Sequence, residues 1–212
     1  MSIEQNKRGI PYLTFLISYK CTNECKHCAL QGSPHQDNSL IELGDVRRYL
    51  DNVTSNYVIN EVGFFGGEPL LHFKLLINLI QEVKKHGITK IGLPTNGYWG
   101  KSEKKARDYA LKLRNAGLYR IGFSVDAFHQ EFIPLDVLRN AIKASHEAGI
   151  EWIALMAKNL RIDDKRNVFN DRTKKITDTL SKEFEFCEVI NSEVLLIGRA
   201  TSQLTEHFSV MT

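Results

Sequence analysis

Six short apolar runs alternate with amphipathic segments along the chain, and this alternation constrains the fold more than any other feature. The runs are Tyr12–Ser18, Ile59–Phe65, Thr89–Leu93, Tyr119–Val125, Glu151–Met156 and Phe186–Leu196. They are near-continuous rather than alternating, as strands buried on both faces are. Between them, Leu75, Leu76, Leu79, Ile80 and Val83 form one stripe, closed by Gly87. Ala106, Tyr109, Ala110, Leu113 and Ala116 form a second, closed by Gly117, and Val137, Leu138, Ala141, Ile142 and Ser145 a third, closed by Gly149. Each stripe has the i, i+3/i+4 spacing of a helix with one apolar face, and each glycine stands where a left-handed residue ends a helix. Leu40–Leu50 reads as the first helix, with Ser39 as its N-cap. Lys165–Lys182 reads as a polar, weakly periodic one. Strands alternating with helices imply parallel βαβ units. An open doubly wound sheet and a barrel-like sheet both satisfy the pattern. Both place ligands in the loops at the carboxyl ends of the strands.

The 212 residues, 42% hydrophobic and 25% charged, suit one globular domain with a sizeable core. We expect a single domain over 1–212 with a short tail from about residue 200. A net charge of +3 is too small to argue for nucleic acid or a membrane surface. The densest basic group, Lys101, Lys104, Lys105 and Arg107, reads as a solvated helix face. Met1–Gly9 is polar without an apolar signal core, and runs such as Leu13–Ile17 are too short to span a bilayer. A cytoplasmic protein is expected. Three of the four cysteines lie within eight residues, which fits a metal site in a reducing compartment better than a disulfide framework.

Those three follow the first strand as Cys21-Thr-Asn-Glu-Cys25-Lys-His27-Cys28, a CxxxCxxC spacing. Three thiolates on one loop can converge on one centre, and soft thiolates select zinc, copper(I) or iron–sulfur clusters. A structural zinc site takes four protein ligands; His27, His35 or Cys187 would have to supply the fourth. A [4Fe–4S] cubane on three cysteines would instead keep one iron open for chemistry. The second strand runs into Gly66-Gly67-Glu68-Pro69, whose glycines permit close backbone approach. The plain alternative is a strand-to-helix turn with Pro69 at its first position. The third strand leads to Pro94-Thr95-Asn96-Gly97, a common turn signal. The fourth ends in Ser124-Val125-Asp126, which sends Ser124 and Asp126 to one side; an N-cap role competes for Asp126.

CxxxCxxC after the first strand and GGEP after the second together resemble the signatures of the radical SAM superfamily. The resemblance runs from Tyr12 to Ala200. It implies an α/β fold, a partial (β/α)6 TIM-like barrel of parallel strands. It implies a [4Fe–4S] cluster on Cys21, Cys25 and Cys28, with S-adenosylmethionine chelated at the open iron and cleaved to a 5′-deoxyadenosyl radical. His27 stands where the family carries an aromatic residue. Gly66, Gly67, Glu68 and Pro69 are the implied partners of the methionine amino group. Asn96 is placed near the cofactor, and Ser124 and Asp126 near its ribose and carboxylate. His129, in the loop after the fourth strand, is a candidate substrate contact. Trp152 and Met156 read as core, with adenine packing near Met156 the alternative that family position implies, although the glycine-rich pattern of some relatives is lacking there. Gly198-Arg199-Ala200 resembles the end of the barrel in relatives with C-terminal extensions, where the adjoining backbone lies near adenine. Cys187 is the one cysteine outside the first loop, so no auxiliary cluster is expected. The short tail leaves one end of the barrel to be covered by substrate, a partner chain or further residues.

The implied activity is hydrogen abstraction from a peptide or small molecule, with a reductant such as flavodoxin or ferredoxin. A glycyl-radical-enzyme activase is an alternative. Against it, Ser18-Tyr19-Lys20 precedes Cys21 where activases tend to carry a glycine. A non-catalytic zinc- or cluster-binding scaffold is the alternative from a different class. An accessible open iron makes the expected cluster oxygen-labile.

Overall fold

A computed structural model describes residues 8–160 and 167–208. The described residues form eight strands and six helices. The strands are β1 (Arg8–Ile10), β2 (Leu13–Leu16), β3 (Tyr57–Ile59), β4 (Glu61–Phe65), β5 (Lys90–Thr95), β6 (Arg120–Ser124), β7 (Trp152–Asn159) and β8 (Glu188–Glu193). The helices are α1 (Leu43–Asn56), α2 (Phe73–Lys85), α3 (Glu103–Ala116), α4 (Leu135–Glu147), α5 (Val168–Glu183) and the short α6 (Ala200–Gln203).

The main sheet is parallel throughout, in the order β2-β4-β5-β6-β7-β8. The order never reverses. Right-handed crossovers therefore put every connecting helix on the same face, and the sheet curls into a partial barrel rather than the doubly wound alternative. β1 and β3 continue the β2–β4 ladder in the same register, Ile10 opposite Ile59 and Leu13 opposite Val62. The break falls at Pro11, which has no N–H to donate.

The main core lies between sheet and helices, with Trp99, Phe64 and Phe123 its largest fully buried side chains. Burial on both faces holds for the middle of β4 and β6 but not for β8, which is mostly exposed as the free edge of the open barrel. Gly87, Gly117 and Gly149 all have positive φ at the expected helix ends. α1 starts later than expected: Glu42 is its N-cap, and Ser39 lies in the preceding loop, donating its N–H to Asp37. Within the expected Lys165–Lys182 helix, residues 165 and 166 lie outside the described residues, and Asn167 caps α5 through the N–H groups of Phe169 and Asn170. Gly44, in the first turn of α1, has only Arg48 at 4.0 Å from where a Cβ would sit. Gly44→Ala is therefore expected to stabilise the protein by about 0.5 kcal/mol; a lower midpoint in urea denaturation would contradict this.

The inner face of the barrel is filled by side chains laid across glycines. A Cβ on Gly63 would collide with Tyr12, one on Gly92 with Arg120, and one on Gly122 with Met156. Arg120 pairs with Glu61 and sits against the rings of Tyr12 and Trp152. Trp152 and Met156, expected in the core, instead face the barrel interior and are half-buried.

Candidate active site

At the carboxyl ends of the strands lies a cavity of about 310 Å³. Cys21, Cys25, His27, Cys28, Gly66, Gly67, Glu68, Asn96, Ser124, Asp126 and His129 all line it. These residues, scattered over more than a hundred positions, are brought together by the six-stranded topology. Pro69 is the exception among the expected site residues. It is buried at the first position of a 3-10 turn (Pro69–His72) and does not line the cavity, because that turn directs it into the protein.

The cysteine loop is held from below by the end of β4. Gly67 N–H donates to the Ser18 carbonyl at 2.8 Å and Glu68 N–H to the Lys20 carbonyl at 2.9 Å. A Cβ on Gly66 would lie 2.5 Å from the Ser18 oxygen, and one on Gly67 would run into the Lys20 carbonyl, 2.7 Å from the Tyr19 oxygen. The close approach that requires the two glycines is thus to the cysteine loop's own backbone. Gly66, at φ +155, is also in a conformation that favours glycine.

Glu68 is an internal tie. Its carboxylate accepts from Leu70 N–H at 3.1 Å, Thr95 Oγ1 at 2.8 Å and Asn96 N–H at 2.7 Å, linking the ends of β4 and β5. Burial pushes its pKa up to about 7 despite these three donors. Asn96 in turn reaches the loop, its Nδ2 donating to Thr22 Oγ1 at 2.8 Å and pointing at Cys21 Sγ at 3.8 Å.

Asp126 is fully buried and acts as a hub. It accepts from Phe128 N–H, His129 N–H and Lys158 N–H, and both its oxygens lie 2.9 Å from His129 Nδ1. These bonds close the turn after β6, but Asp126 is not the helical N-cap weighed for it: Phe128 stands at that position before the 3-10 turn His129–Glu131, and Pro134 before α4. Burial opposes its charge, but His129 outweighs that and holds its pKa down to about 2. Burial likewise opposes the His129 imidazolium, yet Asp126 and Cys25 push it well above the ordinary histidine value. Nδ1 of His129 is thus held by Asp126, and the ligand atoms of Cys25, His27 and His129 gather within 4.8 Å of one another. His27 packs on Phe128 and edge-on to His129, with ring centroids 4.7 and 4.9 Å apart, and burial lowers its pKa to about 4.

Two contributors were missed in the sequence. Arg199 donates from Nη1 to the Cys25 carbonyl and from Nη2 to the Gly32 carbonyl, both at 2.9 Å, and its N–H donates to the Cys28 carbonyl at 3.0 Å. It clamps the cysteine loop; in the sequence it appears only as the middle of Gly-Arg-Ala. Lys158 lines the cavity from near the end of β7. Ending that strand at Met156 hid it, although two positions further on lies the same side of a strand. Ser192, Val194 and Leu195, just before Gly-Arg-Ala, also line the cavity.

The donor set can be tested against a metal centre. Burial, with Glu68 adding to it, pushes the Cys21 thiol up to about 12, so a thiolate there needs a cationic partner. Asn23 N–H donates to Cys21 Sγ at 3.4 Å and Gly32 N–H to Cys28 Sγ at 3.3 Å, leaving both sulfurs supported as acceptors. Buried Asn23 Nδ2 and His27 Nδ1 lack protein partners. Among the described residues, the set whose ligand atoms gather within 4.8 Å is Cys25, His27 and His129. The three loop thiols do not draw in as a single zinc ion, with bonds of about 2.3 Å, would draw them. The residues fit a larger, multi-iron group with a three-thiolate anchor.

The model of the radical SAM superfamily matches residues 15–170, well over half of the sequence. The chain belongs to the radical SAM superfamily. It is an enzyme of that family, whose cofactors are a [4Fe–4S] cluster and S-adenosylmethionine. This radical SAM chain is 27% identical over 131 residues to a putative peptide biosynthesis protein, YydG, of Bacillus subtilis, covering 62% of this chain and 40% of that protein. It is 30% identical over 161 residues to a probable GTP 3′,8-cyclase of Methanococcus aeolicus, covering 71% and 50%. It thus spans about half the length of these relatives or less. Among solved structures, methylornithine synthase superposes with a TM-score of 0.63 at 15% identity, over 89% of this chain and 54% of that one. Native anSMEcpe with bound AdoMet gives 0.58 at 20%, over 85% and 52%. These likenesses establish the partial-barrel fold. Among the described residues of this radical SAM enzyme, no helix is long and apolar enough to cross a membrane.

Proposed function

We propose that this enzyme holds a [4Fe–4S] cluster on Cys21, Cys25 and Cys28 and uses it with S-adenosylmethionine to abstract a hydrogen atom from a peptide or small molecule. The observation that carries the reading is the thiol loop itself: three cysteines line one cavity at the carboxyl edge of the barrel, and the sulfurs of Cys21 and Cys28 each accept a backbone N–H. When bound, the two cofactors supply reductive cleavage of the sulfonium to methionine and a 5′-deoxyadenosyl radical. The protein's part is to bind, orient and exclude water. Ser124 and Lys158 offer a hydroxyl and a cation to the cofactor's carboxylate. The Gly66–Glu68 segment offers backbone groups to its amino end, and Ser192–Leu195 lines the side where adenine would lie.

A second cavity of about 360 Å³ fills the barrel interior and shares Phe65, Pro94 and Met156 with the first. Its wall is largely apolar, with Arg120, which pairs with Glu61, at one side. A substrate side chain entering there would reach the cofactor cavity past Met156. The likeness to YydG favours a peptide substrate, and the likeness to the GTP cyclases keeps a nucleotide in view.

The test is anaerobic reconstitution with iron and sulfide, followed by dithionite, S-adenosylmethionine and assay of 5′-deoxyadenosine. Wild-type protein should form it, and Cys25→Ala should form none above background. The convergence of Cys25, His27 and His129 gives the zinc scaffold a definite signature: stoichiometric zinc, with no iron taken up, would overturn the proposal.

A further inference from the structure

The cavity inside the barrel shows a single charge to whatever enters it. Among the described residues that line it, Arg120 alone is charged; Tyr12 and Thr14 add hydroxyls, and most of the rest is apolar. Glu61, the partner of Arg120, is not part of this wall. An occupant therefore meets a guanidinium and not a carboxylate.

We propose that Arg120 anchors a carboxylate at the far end of the substrate, holding it at the floor of the barrel while the substrate's apolar body reaches up to the cofactor cavity. This rests on the function proposed above, in which the substrate enters past Met156. Three observations carry it. First, the guanidinium is held in place. Its stem lies across Gly92, the residue opposite Arg120 in the β5–β6 ladder, and the guanidinium lies 5.3 and 5.5 Å from the ring centroids of Tyr12 and Trp152. It therefore runs sideways at the level where β6 begins. Second, it has donors to spare. Glu61 meets Nη2, and among the described residues Nε and Nη1 make no hydrogen bond. Five N–H donors in a planar fork leave room for a second carboxylate beside Glu61. Third, the cavity above it is continuous with the cofactor cavity, since Phe65, Pro94 and Met156 line both.

The same geometry limits the size and charge of the ligand. From Arg120 to Ser124, which lines the cofactor cavity, β6 climbs four residue steps, roughly 13 Å. Less one contact distance at each end, that length suits an aromatic or long aliphatic body with the carboxylate at its tip. A lone guanidinium, already partly balanced by Glu61, matches the single negative charge of a carboxylate. A phosphate monoester would call for a second cation, and the described wall holds none. Two sources carry the required chemistry: a small apolar acid, and the terminal carboxylate of a peptide whose last side chain is apolar.

The experiment is a titration of the full chain with 4-phenylbutyrate against 4-phenylbutyramide, and with the tripeptide Ala-Ala-Phe bearing a free against an amidated C terminus, followed by tryptophan fluorescence. Trp152 lines the cavity, whereas Trp99, the second tryptophan, is fully buried in the main core. At least one acid should bind about tenfold more tightly than its amide. Arg120→Gln should bring that ratio to about one. Glu61→Gln, which removes the competing carboxylate, should tighten binding of the acid, a gain that damage to the fold would not produce. A preference shared by the tripeptide makes a peptide terminus the source, and one confined to phenylbutyrate makes it a small acid; both uphold the anchor. Equal affinity for acid and amide, a preference unchanged in Arg120→Gln, or a fluorescence response that survives in Trp152→Phe would overturn it. The titration is made with and without reconstituted iron, so a chain that assembles no cluster yet prefers the acid would sink the cluster reading and leave the anchor standing.

Discussion

Gly67→Ala is expected to lower the stability of the chain by about 3 kcal/mol and to leave it unable to hold a stoichiometric cluster. The added methyl would occupy the space of the Lys20 carbonyl, with the Tyr19 oxygen only 2.7 Å away. Backbone oxygens cannot rotate aside as a flexible side chain can, so the cysteine loop must lift off the end of β4. Lifting breaks the Gly67-to-Ser18 and Glu68-to-Lys20 hydrogen bonds and draws Gly67 away from Gly32, on which a Cβ would lie only 3.3 Å from the Gly67 Cα. Overpacking of this kind costs about 1–3 kcal/mol, and each lost bond about 1 kcal/mol more. For a chain of this size that is a fall in Tm of about 10 °C. Thermal denaturation of the apoprotein tests the first half and iron analysis after reconstitution the second. An unchanged Tm with full iron content would show that the loop is not seated on β4 as described. Gly9→Ala is the matched control, since nothing lies within 4 Å of its Cβ position.

That result bears on how much of this molecule is legible in its sequence. The periodicity of strands and helices is local physics, and it identified all six strands of the main sheet. Strand order is not local. Only the structure shows β2 and β8 as the free edges, which is what separates a partial barrel from a doubly wound sheet. The two glycines of Gly66-Gly67 were legible as a place of close approach. What approaches was not, because the partner is the backbone of residues 18–20, nearly fifty positions away. Asp126 shows the same limit from another side. Capping and site contact read as alternatives in sequence, whereas the folded carboxylate has enough lone pairs to close a turn and hold a histidine together. Trp152 and Met156 read as core because apolarity alone cannot distinguish a helix-facing position from one lining the hollow of a barrel. Their inward side became clear only through Gly122, which makes room for Met156, and through Arg120, which lies across Gly92 and over the Trp152 ring.

Arg199 is the contributor whose removal should cost most among residues that bind no cofactor. Arg199→Ala is expected to destabilise the apoprotein by about 2 kcal/mol and to reduce cluster occupancy after reconstitution to well below one per chain. The reasoning begins with what else holds the cysteine loop from above. A small apolar cluster of Cys25, Phe128, Leu160, Val194, Ala200 and Leu204 packs beneath the segment that carries Arg199. It joins loop to tail without direction and cannot set the relative positions of three sulfurs. The guanidinium can. Its planar fork spans the carbonyls of Cys25 and Gly32 at 2.9 Å each, fixing the second cysteine relative to the residue whose N–H supports the third, Cys28. Hydrogen bonds to a charged donor contribute about 1.5–3 kcal/mol each where buried, and partial exposure of this arginine brings the pair below that sum, to about 2 kcal/mol. Arg199→Lys separates charge from geometry. An ammonium keeps the charge but lacks the planar fork, so it should recover the stability in part and the occupancy less. Iron content and Tm measured together decide the matter: full occupancy in Arg199→Ala would show that the three thiols are pre-arranged by β4 and Asn96 alone, and that the tail merely covers them.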